Sequence, residues 1–439
     1  MRSLITIFIL MLFSGGLKVS AQQENIWTLD DCITYALERN ITIRKNEVSN
    51  RRNELYAEQA RAQRFPSLNA SINQNFNWTN SNSGSATGFS GSNGSNYSLN
   101  SGVTIFNASR LSNQIRQADL DIESGKYQLE TAKESISLSI LDAYLQILYA
   151  EEQVNNSRKQ IEATQGQLKL AVERLQLKVI SEADYAQVKA QLASEKLTLA
   201  NSESQLAISR VNLMQLMELP VTDSFNISHP DLSGSLNQNR LPDVSSVYET
   251  SLAIKPQIKN ASVNKEIAAL DEKIARAGFY PTLSASTGIG SAYSSRTDDA
   301  YFSQINDGIN PSLGFSLAIP IYQKKQAKTN VAVAKLGYQD AELSEINTMN
   351  KLRKNIEQAC QDVISAQTEY EASLESFNST LESSRLSDEK FIQGMINSVD
   401  YMVSKTNLIV AESRLLQSKF NLIFSYKVLD FYSGIPLTI

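Results

Sequence analysis

The feature of this 439-residue chain that most limits its fold is a duplication. Arg64-Phe65-Pro66-Ser67-Leu68-Asn69-Ala70-Ser71 recurs 215 positions later as Phe279-Tyr280-Pro281-Thr282-Leu283-Ser284-Ala285-Ser286. From Phe106 and Tyr322 the offset becomes 216 and holds without a gap to Pro220 and Pro436; Ala118, Leu120, Ala143, Asp184, Tyr185, Lys189, Leu192, Ser202, Leu206, Ser209, Leu213 and Pro220 each meet an identical residue. Such self-similarity means one supersecondary unit used twice, neither copy burying its apolar face alone. The two repeats are residues 22–218 and 247–439, joined by a linker at 219–246 that carries Pro220, Pro230, Pro242 and the single histidine, His229. His229 stands in that linker without the neighbours a metal or catalytic site needs.

Residues 1–21 read as a secretory signal: Arg2, an apolar run from Leu4 to Phe13, and small residues before a cleavage point after Ala21. The competing reading, a membrane anchor, needs a longer apolar run to cross a hydrocarbon core of about 30 Å. Nowhere later do 18 consecutive apolar residues occur, so a chain of this kind enters a membrane through strands. Net charge is −5, without the cation excess that nucleic acid requires. Cys32 and Cys360, far apart in sequence, suit either two buried thiols or one disulfide in an oxidising compartment. No nucleophile–base set, phosphate loop or metal-ligand cluster is visible, so neither an enzyme nor a cofactor is expected.

Each repeat reads as helix, two strands, long helix, shorter helix. The first helix, Leu29 to Arg64, starts behind Thr28 as N-cap with Asp30 and Asp31 in its first turn, and Pro66 ends it. Period-two alternation follows at 67–79 and 97–106, and again at 282–293 and 311–321. Leu68, Ala70, Ile72, Phe76 and Trp78 share one face of the first strand; Tyr97, Leu99, Val103 and Ile105 share one of the second. Leu283, Ala285, Ile289 and Tyr293, then Leu313, Phe315, Leu317, Ile319 and Ile321, do the same in the other repeat. The opposite faces are small or polar and uncharged. A tilted strand of about ten residues spans a bilayer, and Trp78, Tyr97, Tyr293 and Tyr322 stand near strand ends, where interfacial aromatics belong. Asn80–Asn96 and Ser294–Asn310 then read as outer loops. Four strands cannot close a membrane barrel, and an open edge in lipid leaves amides unpaired, so copies of the chain must combine.

The stretches 107–177 and 322–393 lack proline and read as helices roughly 105 Å long, followed by shorter ones at 182–217 and 398–432. Ile140, Ile147, Val154, Ile161, Leu168 and Leu175 form a strict heptad seam, with Ala143, Ala150, Ser157, Thr164 and Ala171 three places on. Ile356, Val363, Tyr370, Phe377 and Phe391 form the matching seam, interrupted at Ser384. A strict seven-residue repeat winds helices into a left-handed coiled coil.

These residues resemble the outer-membrane efflux protein family, the TolC-like channels, over the whole mature chain. The marks are the Phe65-Pro66 and Tyr280-Pro281 strand entries, the Ile319-Pro320-Ile321-Tyr322 exit, and the tips Arg174 to Tyr185 and Lys390 to Tyr401. The resemblance implies a mainly α protein with membrane β: a homotrimer whose coiled-coil helices form a periplasmic α-barrel below a 12-stranded β-barrel, each protomer giving four strands. It implies an outer-membrane location in a Gram-negative bacterium, in lipid. The partners implied are a periplasmic adaptor (membrane fusion) protein and, through it, an inner-membrane pump of a tripartite efflux or type I secretion system. Asp400 matches the family aspartate at the periplasmic entrance, where three copies make an acidic ring; the second family carboxylate is Val403 here. Asp184 matches the acidic member of the closed-state latch, but its tyrosine partner is Phe391, and the latch arginine and threonine are Ile396 and Ala183. Those latch hydrogen bonds cannot form, so packing by Phe391 and Ile396 is the expected substitute. Asp184 and Asp400 also read as N-caps of the returning helices. The adaptor-docking tips are Leu177-Lys178-Val179 and Gln393-Gly394-Met395, with Lys178 where the family has a glycine. A secreted coiled-coil structural or adhesive protein without a pore is the alternative.

Overall fold

The computed structural model describes residues 26–83, 86–220, 225–230 and 243–438. The proposed signal segment and linker residues 221–224 and 231–242 lie outside the described residues. In chain order the elements are β1 (Ile26–Trp27), α1 (Leu29–Arg39), α2 (Ile41–Ala62), β2 (Ser67–Ser83), β3 (Ala86–Phe106), α3 (Arg110–Gln176), α4 (Glu182–Leu216) and β4 (Asn226–Ile227). They continue with α5 (Val244–Ile254), α6 (Pro256–Arg276), β5 (Thr282–Ser294), α7 (Tyr301–Asp307), β6 (Asn310–Ala318), α8 (Gln326–Ile392) and α9 (Ser398–Tyr432). α3 and α8 have 67 residues each, about 100 Å of helix.

Thr28 caps α1 in a capping box with Asp31. The single helix expected from Leu29 to Arg64 is broken at Asn40. That residue leaves helical geometry at ψ 130°, and its buried side chain ties the start of α2 to the end of α4. Nδ2 donates to the Leu216 carbonyl at 2.9 Å, and Oδ1 accepts from the Thr42 amide at 2.8 Å. The other repeat breaks at the equivalent place, Lys255, where Pro256 opens α6.

The chain forms two compact units. One takes the stretches ending at Ile43, running Lys133–Ser251 and starting at Asn355. Its core gathers Cys32 and Ala36 of α1, Ile140, Tyr144 and Ile147 of α3, Leu213 and Met217 of α4, Ile227 of β4 and Ile423 of α9. β1 pairs in parallel with β4, and the buried Tyr144 hydroxyl donates to the Ser228 carbonyl at 2.7 Å, fastening the linker strand to α3. His229, unassigned by its sequence context, pairs through Nε2 with Glu151 at 2.7 Å beside Arg210 at 2.8 Å. The contact joins the linker to α3. The heptad seam is the buried face of α3: Ile140, Ile147, Val154 and Ile161 are all buried, as are Ala150, Ser157, Thr164 and Ala171. Ile356, Val363 and even Ser384 are buried in α8. Cys32 and Cys360 are both buried free thiols, so no disulfide joins them. Burial pushes the Cys32 thiol up to about 12.

The second unit, Arg44–Ala132 and Leu252–Lys354, holds the sheet in the order β2-β3-β5-β6, antiparallel throughout. β2 and β3 are 17 and 21 residues long and pair continuously from Ser67↔Gly102 to Ser83↔Ala86. Of the outer loop expected at Asn80–Asn96, residues 80–83 and 86–96 are therefore strand, and 84–85 lie outside the described residues. Its Ser, Asn and Gly residues give no apolar alternation to read, yet backbone pairing carries on through them. The other expected loop, Ser294–Asn310, holds α7. β6 stops at Ala318, and Ile319 and Ile321 lie beyond it. Helix α2 meets α3 through the Asn53 amide, which donates to the Asp121 carbonyl at 3.0 Å, and through Arg61–Asp119 at 2.5 Å.

Candidate functional site

The register of the sheet decides what it can face. Directly paired residues of an antiparallel ladder point the same way. Ala70 pairs with Leu99, which pairs with Ile289; Leu283 pairs with Leu317, and Ala285 with Phe315. The four apolar stripes thus fall on one face, interrupted by Gln74 on β2, Ser95 and Ser101 on β3, and Thr287 and Ser291 on β5. A bulge between Thr104 and Phe106 leaves Ile105 unpaired and sets Phe106 opposite Leu283, with the apolar stripe. That face is bare: Leu68, Ile72, Trp78 and Leu313 are each 69–73% exposed. An uncovered apolar surface built from every strand of a sheet is an interaction surface. Ser67, Asn69, Ser71, Ser98, Asn100, Ser286, Gly288, Ser312 and Gly314 occupy the other face, and Ser71 and Ser98 hydroxyls meet at 2.7 Å.

The aromatic residues are placed differently from expectation. Trp78 and Tyr97 lie inside β2 and β3, because the hairpin is longer than its apolar pattern. Trp78 stacks on Phe76 with centroids 6.4 Å apart, and Phe76 pairs with Asn93, next to the last residue of β3 that β5 reaches, Gly94. Tyr97 pairs with Ser291, and its hydroxyl meets that of Tyr301 on α7. Tyr293 stands at the end of β5 and packs on Tyr301 at 4.7 Å. Tyr322 is 81% exposed beyond β6. Tyr97 and Tyr293 meet through Tyr301 near the level where β5 ends; Trp78 lies farther along the hairpin, opposite Gly91, and Tyr322 belongs to the opposite end.

At the far end of the long helices, in the other unit, the two turns are copies of one motif. The Val179 amide donates to the Arg174 carbonyl and the Lys178 amide to Leu175, both at 2.9 Å; Met395 donates to Lys390 at 2.8 Å and Gly394 to Phe391 at 3.1 Å. This is the Schellman pattern, with the residue after the cap in left-handed geometry. Gly394 adopts φ 74° and Lys178 φ 55°. The glycine-to-lysine change therefore leaves the turn intact and strains it. Leu177, Val179 and Met395 are exposed at the apex; Lys178, Gln393 and Gly394 are exposed beside them.

Asp184 and Asp400 are not N-caps. Ser181 and Asn397 are, and the aspartates sit three residues on. The Asp184 carboxylate accepts from the Ser181 amide and hydroxyl and from the Ser398 hydroxyl. These donors, Ser398 first, hold its carboxyl below the usual aspartate value. Asp400 is exposed, its amide bonded to the Asn397 side chain at 2.8 Å. Ile396 is half-buried. Phe391 stacks face to face on Tyr401, centroids 4.4 Å apart and rings 13° from parallel, with the Arg174 guanidinium 6.0 Å from the Phe391 centroid.

Ser398, Tyr401, Gln167, Asp388 and Lys405 were not expected from sequence. Tyr401 is buried, its hydroxyl bonded to the Gln167 amide, and Lys405 donates to Asp388 at 2.8 Å. Burial, with Asp388 close by, raises the Tyr401 phenol far above its usual value. The one available signal was the Asp-Tyr pair repeated at 184–185 and 400–401. Among the described residues no group of three or more His, Cys, Asp or Glu side chains is placed to hold a metal, and no helix is long and apolar enough to cross a membrane.

Comparison with solved structures finds the same fold. CusC, in structures of its folding and transmembrane channel formation, matches with TM-score 0.80 at 16% identity, covering 93% of this chain and 92% of that one. The Campylobacter jejuni CmeC outer membrane channel matches at 0.77 and 18%, covering 94% and 87%. The open state of the Neisseria gonorrhoeae MtrE outer membrane channel matches at 0.74 and 19%, covering 92% and 88%. No curated protein sequence matches. The sequence pattern described as "Outer membrane efflux protein" matches twice, over residues 32–218 and 247–433. Spanning both repeats, these matches place the chain in the outer membrane efflux protein family.

Proposed function

We propose that this protein is the outer-membrane duct of a tripartite efflux or type I secretion system in a Gram-negative bacterium, passively conducting substrates handed on by a periplasmic adaptor and an inner-membrane pump. The observation that carries the reading is the sheet, with one face apolar and exposed, the other uncharged and polar, and two edges free in the single chain. In lipid such a sheet must close with copies of itself, and three copies give twelve strands. The polar face then lines the lumen. Trp78, Tyr97 and Tyr293 mark one interface of the bilayer, and Tyr322 the other.

The tips carry the gate and the docking surface. Three copies of Asp400 make an acidic ring that favours cations. With the family latch residues replaced, closure rests on Phe391 packed against Tyr401, on Ile396, and on the Ser398–Asp184 bond. Leu177-Lys178-Val179 and Gln393-Gly394-Met395 meet the adaptor, their exposed apolar side chains being what a partner would cover.

The test is to fractionate cells and reconstitute the protein. Heat-modifiable trimers released from the outer membrane only by detergent, and conducting in planar bilayers, are expected. Monomers released by salt, without conductance, would support the pore-free coiled-coil alternative. Conductance unchanged by Phe391→Ser and Ile396→Ser would remove those residues from the gate.

A further inference from the structure

We propose that the helical unit holds a hard divalent cation, calcium fitting best, in an interhelical cavity between α3, α4 and α9, with Glu195 and Glu412 as its charged ligands. The cavity, about 200 Å³, is lined almost wholly by polar side chains, among them Gln153, Gln160, Thr198 and Thr406 with the two glutamates. That volume takes a cation and several waters.

Glu195, on α4, is 5% exposed. Its Oε1 accepts from the Thr164 hydroxyl at 3.0 Å, from Gln191 Nε2 at 2.9 Å and more weakly from Gln160 Nε2 at 3.4 Å. Three donors on one oxygen describe an ionised carboxylate, which only accepts. Its Oε2 is buried and has no hydrogen-bond partner among the described residues. A buried charge left this way is costly unless something neutralises it. A proton on Oε2 would itself need an acceptor.

The duplication makes the carboxylate harder to explain by packing. The position equivalent to Glu195 in the second repeat is Ala411, also buried. The fold therefore packs a methyl there without difficulty. Glu412, beside Ala411, lines the same cavity from α9. Two carboxylates with amide and hydroxyl oxygens, and no thiol or imidazole, make a donor set for a hard cation; the flexible coordination of calcium suits mixed neutral and charged oxygens better than the strict octahedron of magnesium.

Calcium binding to the full chain in detergent tests this, by equilibrium dialysis and thermal unfolding with calcium, magnesium or chelator. One calcium per chain is expected, with a rise in Tm that magnesium does not match. Glu195→Gln keeps an oxygen for Thr164 and supplies an amide at Oε2; it should weaken that binding about tenfold or more and lose the calcium-dependent Tm rise, while melting no lower than the parent in chelator. Glu412→Gln should weaken binding likewise, and terbium diffused into crystals should lie between the two side chains. No calcium-dependent shift in the parent, undiminished binding by either variant, or terbium located elsewhere would overturn the proposal.

Discussion

The Ser398 hydroxyl donates to the Asp184 carboxylate, across 214 positions of sequence, and so ties the first turn of α9 to the first turn of α4. The bond crosses from one repeat to the other within a single chain, at the level where the helices turn back. Replacing Ser398 by Ala removes the donor and leaves Asp184 with Ser181 alone. A hydrogen bond to a charged group at a half-exposed site contributes roughly 1 kcal/mol. Ser398→Ala should therefore loosen the tip without unfolding the protein, raising single-channel conductance in planar bilayers at unchanged Tm within a few degrees. Conductance equal to the parent would show that the bond restrains nothing that gates.

The same carboxylate sets a pH dependence. Its folded-state value lies below the ordinary 3.8, so its stabilisation is complete above that pH and is lost as the pH falls through the lowered value. Amide exchange at residues 181–188 and 397–401 should be flat from neutral pH to about 4, after correction for intrinsic rates, and accelerate below it. Ser398→Ala should keep that onset, because the ordinary value sets it, but level off at a higher pH and lose less protection in total, because the largest cause of the lowering is gone.

Lys178 holds a left-handed conformation that costs a side-chain-bearing residue roughly 1 kcal/mol. Lys178→Gly should relieve that strain, whereas Gly394→Ala should introduce it, although a Cβ at Gly394 meets no other atom within 4 Å. The two substitutions are thus expected to move Tm in opposite directions. Adaptor pull-down on both variants would separate the loss of the lysine charge from the change in turn stability.

Gly125 lies within α3 where α2 packs on it. A Cβ there would collide with the buried Asn50 Oδ1 and crowd the Asn53 amide. Asn50 Oδ1 has no hydrogen-bond partner among the described residues, so moving it breaks no bond, and the cost is that of displacing a buried side chain from the α2–α3 contact. Gly125→Ala should destabilise by about 1–3 kcal/mol in spite of alanine's better helix propensity. A Tm at or above the parent's would mean that the α2–α3 contact adjusts freely.

Much of this architecture is legible in the sequence because it follows from periodicity. Ile140, Ile147 and Val154 name the buried seam of α3 by their spacing alone, and Leu68, Ala70 and Ile72 name the apolar face of β2. What escapes is set by backbone pairing or by distant contacts. The hairpin continues through Ser, Asn and Gly residues whose side chains alternate in nothing a reader can score. Asn40 interrupts a helical pattern without any breaker residue, since its break depends on the Leu216 carbonyl arriving from α4; Pro256 announces the equivalent break openly. At the tip, substitution of the latch residues and packing by Phe391 and Ile396 in their place were readable; the ring that Phe391 stacks on, Tyr401, and the Ser398–Asp184 bond were not. Nothing local to Ser398 or Tyr401 points to Asp184 or Gln167.

The unequal lengths of the two hairpins also mark a depth. Beyond Asn93, β3 keeps β2 on one flank and has lost β5 on the other, so the last stretch of the hairpin is a two-stranded ribbon with bare amides along its edge. Hydrocarbon does not tolerate such amides, and water does. In a bilayer, the line through Gly94 and Ser294 would be a waterline on this strand: oil stops at or below it, and the ribbon stands clear as a charge-free post on the cell's outer skin.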